Sequence, residues 1–375
     1  MRLHVIGLGG AGCRIVDGLA AEHDGDRLLQ GLSAFDTDMD ALGSLRHLDD
    51  DRRYRFGDAA GGDGLGGDLH AGRRLGTAHA DELTREMDDE RPSIAEAFLL
   101  VVGLGGAAGA GAAPALAEEL DRLYDAPTYA LGVLPARGET DPRTTDQGRD
   151  ESPPRRPLAD KNAARTLDAL SARVDAVFPF DNDSWVRADE TIADAAPRVN
   201  AAIVERIVAL FGAGEAGDDV STPQQVLDAS DVARAVGSDG EIAAIGYATQ
   251  GIEPPESGSR FGFGLFGSSK PAEVDTSAAV SAVETVIRKA ARGKGSIEVP
   301  EGRADRTLLV VGGPPAWLNR TAIADGRRWL AQETGSDAIL SGDAPNEDRD
   351  DVFAVVLRSG IDDTERLSEI RASIE

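Results

Sequence analysis

The sequence predicts an α/β fold: a doubly wound parallel-sheet domain, a central helix, and a smaller α/β domain with a mixed sheet. Three observations carry this. Short apolar runs end at glycine-rich turns and are followed by helical spacing, several times over in the first half. One long helix, apolar nearly all round, follows this alternation. Its 375 residues then suffice for two domains, each with its own core.

Arg2–Ile6 is the first apolar run, with amphipathic spacing from Cys13 to Ala21 and a second strand over Leu32–Phe35. A glycine- and aspartate-rich loop, Gly57–Asp68, precedes a helix over Leu69–Met87. Ala97–Val102 is apolar throughout, as a strand covered on both faces must be, and Ala112–Tyr124 has helical spacing after it. Thr128–Leu134 and Ala176–Phe180 are further strands. Between them, 138–161 has almost no apolar residues and predicts a mobile insertion.

The central helix is predicted over 196–212, since Pro197 suits a first helical position and Gly212 a stop. The first domain is therefore 1–195 and the second 213–375. In the second, Ser277–Ala291 and Thr321–Glu333 have helical spacing, and Arg306–Val311 and Val352–Leu357 are strands. Residues 254–272, rich in Gly, Pro and Phe, form a long connection.

Composition excludes several functions. Lys+Arg 39 against Asp+Glu 66 gives a net charge of −27, which argues against a nucleic-acid or anionic-membrane partner. Only Lys161, Lys270, Lys289 and Lys294 are lysines; surplus carboxylate with little lysine is the pattern of a protein kept soluble in concentrated salt. Cys13 is the single cysteine, so no intrachain disulfide forms. No apolar run reaches the ~20 residues a bilayer requires, and a cytoplasmic protein is expected.

Two glycine loops carry the chemistry. Gly7-Leu8-Gly9-Gly10-Ala11-Gly12 follows a strand and opens a helix, so phosphate oxygens can approach its amides without meeting a Cβ. With Asp36 closing the second strand, it has the fingerprint of a dinucleotide site in which the acid reads a ribose hydroxyl. A hydride-transfer enzyme is thus one candidate. The second loop, Gly103-Leu104-Gly105-Gly106-Ala107-Ala108-Gly109-Ala110-Gly111, brings another helix N-terminus to the same crevice and favours a triphosphate. No Walker A lysine pattern is present, so backbone must hold the phosphates. A tight strand–helix turn without a ligand is the competing explanation for the first loop, and close helix–sheet packing for the second.

A third feature is acidic. Asp228 and Asp231, three apart, either orient a water or cation or cap a short helix. The five histidines have no metal-ligand spacing. Cys13 fits as a small packing residue. Arg288, Lys289, Arg292 and Lys294 fit a solvated helix end.

Together and in order, these segments resemble the tubulin/FtsZ superfamily, most of all its archaeal CetZ branch. Val5–Gly12 resembles the first phosphate loop, and Asp36-Thr37-Asp38 its Asn-Thr-Asp loop. Gly103–Pro114 is similar to the tubulin signature GGGTGSG, and Phe180-Asp181-Asn182-Asp183 to the stretch before the ribose-side loop. Asn200 is placed like the asparagine that reads guanine, in the first turn of the central helix. Leu265–Pro271 and Gly312–Pro315 look like CetZ rather than bacterial FtsZ.

The resemblance implies GTP or GDP, with Mg²⁺ on the phosphates, bound by Gly9, Gly10, Ala11, Gly12, Asp36, Gly105, Gly106, Ala107, Ala108, Gly109, Ala110, Gly111, Asn182 and Asn200. It implies that Asp228 and Asp231 enter the next subunit's site and polarise the attacking water, so that head-to-tail assembly and hydrolysis are coupled. The implied role is a cytoskeletal polymer in cell-shape control. Alanine at 108 and 110, where the signature has hydroxyls, and Ala107, where it has glycine, predict slowed turnover. Glu139 and Arg143 are candidates for the ribose contacts. The alternative is a non-hydrolysing, nucleotide-responsive scaffold co-assembling with a paralogue, and behind it a Rossmann oxidoreductase.

Overall fold

The computed structural model describes residues 1–23, 27–57, 61–62, 64–140, 156–214, 227–252, 274–302, 304–336 and 338–374. Strands β1 (Leu3–Leu8), β4 (Ala97–Gly103), β5 (Thr128–Leu134) and β6 (Ala176–Asp181) are buried almost throughout, which requires cover on both faces. Alternate residues feed two cores. Leu3, Val5, Leu99 and Val101 pack with α1 (Gly9–His23) and α7 (Ile192–Phe211). Ile6, Leu8, Leu100 and Val102 pack with α3 (Leu69–Glu86), α4 (Ala108–Leu123) and α6 (Ala159–Ser171).

Two more parallel strands complete one side: β1 pairs with β2 (Leu29–Asp36), and β2 with the short β3 (Arg53–Arg55). On the other side of β1 the order is β4, β5, β6. Strand order therefore reverses between β1 and β4, and a crevice opens there beyond the strands' carboxyl ends.

The second half extends the same sheet. Strand β7 (Glu241–Gly251) meets β6 at only two residue pairs, while the core around α7 continues across the join to Leu308, Val310, Val355 and Leu357. Antiparallel β10 (Asp351–Ser359) follows, then β8 (Arg306–Gly313) and β9 (Ala338–Pro345), which are parallel to each other. Helices α9 (Thr276–Arg292) and α10 (Arg320–Thr334) cover one face around Val286, Ile287 and Leu330. The sheet order is β3-β2-β1-β4-β5-β6-β7-β10-β8-β9. Three short helices, α2 (Met39–Gly43), α5 (Arg137–Thr140) and α8 (Ala229–Val236), and α11 (Glu365–Ala372) complete the α-helices among the described residues.

Several boundaries differ from expectation. Helix α1 starts at Gly9 rather than Cys13, and α4 at Ala108 rather than Ala112: tertiary packing overrides the low helix propensity of glycine. The central helix starts at Ile192, not Pro197, because Thr191 and Asp194 form a reciprocal capping box ahead of it. Pro197 is inside the helix, and Asn200 falls in its third turn, not its first. Ala159–Lys161, expected in the mobile insertion, open α6. Strands β3, β7 and β9 were not apparent; β7 is rich in Ala and Gly and β9 in polar residues, both weak strand signals. Arg143 and the segments 141–155, 254–272 and Leu265–Pro271 lie wholly outside the described residues.

Candidate functional site

Both glycine segments occupy strand-to-helix junctions on either side of the reversal point, the first leaving β1 and the second leaving β4. Their glycines fall into two groups. Gly9 takes a left-handed φ of 72°, and a Cβ there would sit 3.1 Å from the Gly109 nitrogen. A Cβ on Gly109 would run into the Leu8 carbonyl, one on Gly12 into the Val101 carbonyl, and one on Gly111 into the Gly72 backbone. These positions are glycine because backbones interlock, so packing explains them. Gly10 and Gly106 are only part-buried. A Cβ at Gly10 would meet the Arg14 guanidinium at 3.2 Å, and one at Gly106 the Gly103 carbonyl at 3.2 Å and Arg156 Nη2 at 3.7 Å. These two, with part-buried Ala11 and Gly103, face the opening.

The helix ends are suited to an anion. Neither α1 nor α4 has an acidic residue in its first turn, and the Ala107 N-cap of α4 makes no side-chain bond. Each thus presents uncapped N–H groups and the positive end of its dipole. Ala107 and Ala108 are marginally accessible, whereas Ala110 is wholly buried in the apolar core. The hydroxyl absent at 110 therefore falls on packing, and only that at 108 borders the crevice. Cys13 is buried with its Sγ 3.6 Å from the Gly7 and Phe35 carbonyls, and burial pushes its thiol up. It is a packing group, as expected.

Around the opening stand side chains from four elements. Asp36 is buried at the end of β2, and its Oδ1 accepts from the Thr37 and Asp38 amides at 2.7 and 3.4 Å. Burial nevertheless pushes its carboxyl up to about 6. Asp38 caps α2. Asn162, buried on α6, donates to the Gly67 and Gly106 carbonyls at 3.0 and 3.1 Å, which fixes the second glycine segment from behind. Arg156, beside Gly106, pairs with Glu139 at 3.2 Å. Glu139, a candidate for ribose contact, also accepts from the Ala136 amide at 2.9 Å. Asn162 and Arg156 carried no local sequence signal; chain-distant packing brings them here.

Asn182 follows β6, two strands from β4. Its Oδ1 is buried and without a hydrogen-bond partner among the described residues. Asn200 lies one helical turn before Val204, which packs 3.4 Å from the Cβ position of Gly18 in α1. Since the Met1 amine binds the Phe211 carbonyl at 3.0 Å, α7 runs from the crevice end to the opposite end of the sheet. Asn200 is thus in its crevice half, part-buried.

The acidic pair is elsewhere. Asp228 caps α8: its Oδ1 accepts from the Asp231 amide at 2.8 Å and the Ser230 hydroxyl at 2.7 Å. Asp231 Oδ2 accepts from the Asp228 amide at 3.4 Å, completing a reciprocal cap. Its Oδ1 accepts from Arg234 at 3.0 Å. Asp228 is exposed, and these hydrogen bonds, the one from Ser230 largest, hold its carboxyl below the ordinary range. Ala229, Ser230 and Ala233 line an open hollow of about 610 Å³ together with Met1, Glu96 and Pro127. The last three precede β1, β4 and β5, so the pair stands at the end of the sheet opposite the crevice. The glycine segments, Asp36, Asn182 and Asn200 share one end; Asp228 and Asp231 do not. Among the described residues no cluster of three or more acidic, His or Cys side chains could hold a metal.

Residues 2–189 match the Tubulin/FtsZ family GTPase domain, and residues 189–374 the C-terminal domain of tubulin-like CetZ. The chain is 33% identical to tubulin-like protein CetZ1 of Haloferax volcanii, over 99% of this chain and 91% of that one. It is 34% identical to CetZ5 of the same organism, over 100% and 91%. The structure is similar to that of H. volcanii CetZ1, a GDP-bound monomer, with TM-score 0.81 and 29% identity over 100% of this chain and 98% of that one. It is also similar to H. volcanii CetZ2, a GTPγS-bound protofilament, with TM-score 0.80 and 29% identity over 100% and 97%. With its two cores, its crevice at the strand reversal and these matches end to end, the chain belongs to the tubulin/FtsZ superfamily, in the tubulin-like CetZ family of cytoskeletal proteins.

Proposed function

We propose that this protein binds a guanine nucleotide in the β1–β4 crevice and assembles head to tail, each junction completing a GTPase site. The observation that carries this is the placement of the glycine segments and the Asp228–Asp231 pair at opposite ends of one sheet. Strands of six or seven residues are about 20 Å long, so Asp228 and Asp231 cannot reach a phosphate held by their own chain's glycines. A second copy stacked end on end brings them there.

Surface apolarity supports the same stacking. Of the five large hydrophobics exposed among the described residues, Met39 and Leu158 flank the crevice, and Ile94 and Leu123 stand at the hollow's end. Two different faces that each leave apolar groups exposed suit a heterologous, non-closing contact.

The residues present fit a nucleotide. Two uncapped helix N-termini and the glycines at 10 and 106 suit the phosphates, and the orphan Asn182 Oδ1 and Asn200 suit the ribose and base. Mg²⁺, carried on the phosphates, would supply neutralisation of the charge that develops on phosphoryl transfer. Gly10, Gly106 and the first-turn amides orient the phosphates; Asp228 and Asp231 of the adjoining copy orient the water. Cell-shape control is the cellular role we infer.

Phosphate release in molar salt tests this, with wild type beside Asp228→Asn, which keeps a cap-competent side chain and loses the charge. GTP-dependent release abolished in the variant supports the mechanism. Release equal in both contradicts it. Ala108, without the signature hydroxyl, favours one other reading: a scaffold that binds nucleotide, does not hydrolyse it and co-assembles with a paralogue. Tight GTP binding without release, alone and with a paralogue added, identifies that case.

A further inference from the structure

The C-terminal helix reaches across the molecule to the nucleoside side of the crevice. Arg366, on α11, is almost completely buried. Its Nε is 3.3 Å from Asp181 Oδ1, its Nη2 donates to the Pro135 carbonyl at 2.6 Å, and its Nη1 is 3.1 Å from Glu369 Oε2. Asp181 ends β6 and Pro135 follows β5, so one guanidinium bridges two strand ends. Asp181 also shapes what comes next: it accepts from the Asp183 amide at 3.2 Å and the Ser184 hydroxyl at 2.9 Å, closing the turn that carries Asn182.

A second strap runs outside the first. Arg137 Nε donates to Glu369 at 2.9 Å, its guanidinium also pairs with Asp183, and its backbone amide donates to Asp183 Oδ1 at 2.9 Å. Asn182 is therefore flanked by two acids, both tied to α11 through arginines. Among the described residues, none of these hydrogen bonds and ion pairs of Arg366, Arg137, Asp181, Asp183 and Glu369 goes to a glycine segment.

We propose that α11 is the strut of the crevice's nucleoside wall, with Arg366 a positioning residue that sets Asn182 for the ribose and base and leaves the phosphate cradle alone. This rests on the nucleotide reading above. Removing one member of a buried pair leaves an uncompensated charge. Asp181 without Arg366 must take up water or turn outward, and the Asn182 turn goes with it.

The test compares GDP with inorganic tripolyphosphate, by calorimetry on the full chain in molar salt, well below each variant's melting point. Arg366→Gln should weaken GDP binding about tenfold or more, ~1.4 kcal/mol, and leave tripolyphosphate within about twofold. Arg366→Lys, which keeps the charge without the fork, should recover part of the loss. Glu369→Gln, at an exposed position, should give a smaller change of the same pattern, and serves if the Arg366 variants do not fold. A parallel weakening of both ligands, or unchanged GDP affinity in folded Arg366→Gln, overturns the proposal. If wild type binds tripolyphosphate but no guanine nucleotide, the nucleotide reading falls and this inference with it. If wild type binds GDP and no variant alters it, only this inference falls.

Discussion

At Gly12 an added methyl group would run into the Val101 carbonyl, whereas at part-buried Gly106 it would sit 3.2 Å from the Gly103 carbonyl and 3.7 Å from the tip of Arg156. Gly12→Ala should therefore cost about 1–3 kcal/mol of stability through overpacking, read as a lower denaturation midpoint. Gly106→Ala, with a 3.2 Å contact where Gly12→Ala has a clash, should lower the midpoint less and lose phosphate affinity. Ala108→Thr should raise GTP affinity or turnover by about 10- to 100-fold, since a hydrogen bond to a charged group contributes about 1.5–3 kcal/mol; binding and phosphate-release assays check it. His4 is a different case. Its Nε2 lies 3.4 Å from Glu90, but Arg52 engages that carboxylate at 3.0 Å, and burial pushes the imidazole down to about 3. Below pH 6.5 the unfolded chain takes up a proton that the folded one refuses. Stability should fall by about 1.4 kcal/mol per pH unit from 6.5 toward 3 on this account, and His4→Phe should flatten that slope in urea titrations. Asp36, raised to about 6, works against it: its contribution weakens as pH rises from 3.8 to 6.

Among the elements, α8 carries a cap and, on the proposed mechanism, an acid for the next subunit, and substitutions can separate the two. Asp228→Ala removes both cap and charge, and should lower the denaturation midpoint as well as abolish hydrolysis. Asp228→Asn should cost hydrolysis alone. Sequence could present the cap and the catalytic role of Asp228 only as alternatives, because the side chain satisfies the helix end and still leaves a carboxylate exposed. The crevice itself was legible, since it is built from local signals: apolar run, glycines, helix. Its rim was not. Asn162, Arg156 and Arg366 reach the site from chain-distant elements, and nothing in their neighbours' sequence marks them. The early starts of α1, α4 and α7 escaped for a related reason. Glycine and Pro197 are poor local helix signals, and Pro197 masks the capping box that Thr191 and Asp194 form ahead of it.

For the molecule as a whole, −27 charges on each subunit oppose stacking. Screening shortens that repulsion from about 30 Å at 0.01 M salt to about 3 Å at 1 M. Light scattering with GTP should therefore rise steeply between these salt concentrations, and assembly that is indifferent to salt would contradict the charge account.

A site made by two copies is revealed by mixing two silent variants. Asp228→Asn retains the crevice and lacks the acid, whereas a crevice variant such as Gly106→Val retains the acid and lacks the phosphate site. In an equal mixture about a quarter of head-to-tail junctions pair a sound crevice with a sound acidic end. Phosphate release from the mixture well above the sum of the two separate proteins is the predicted result. A mixture as silent as its components, while wild type turns over, would contradict it.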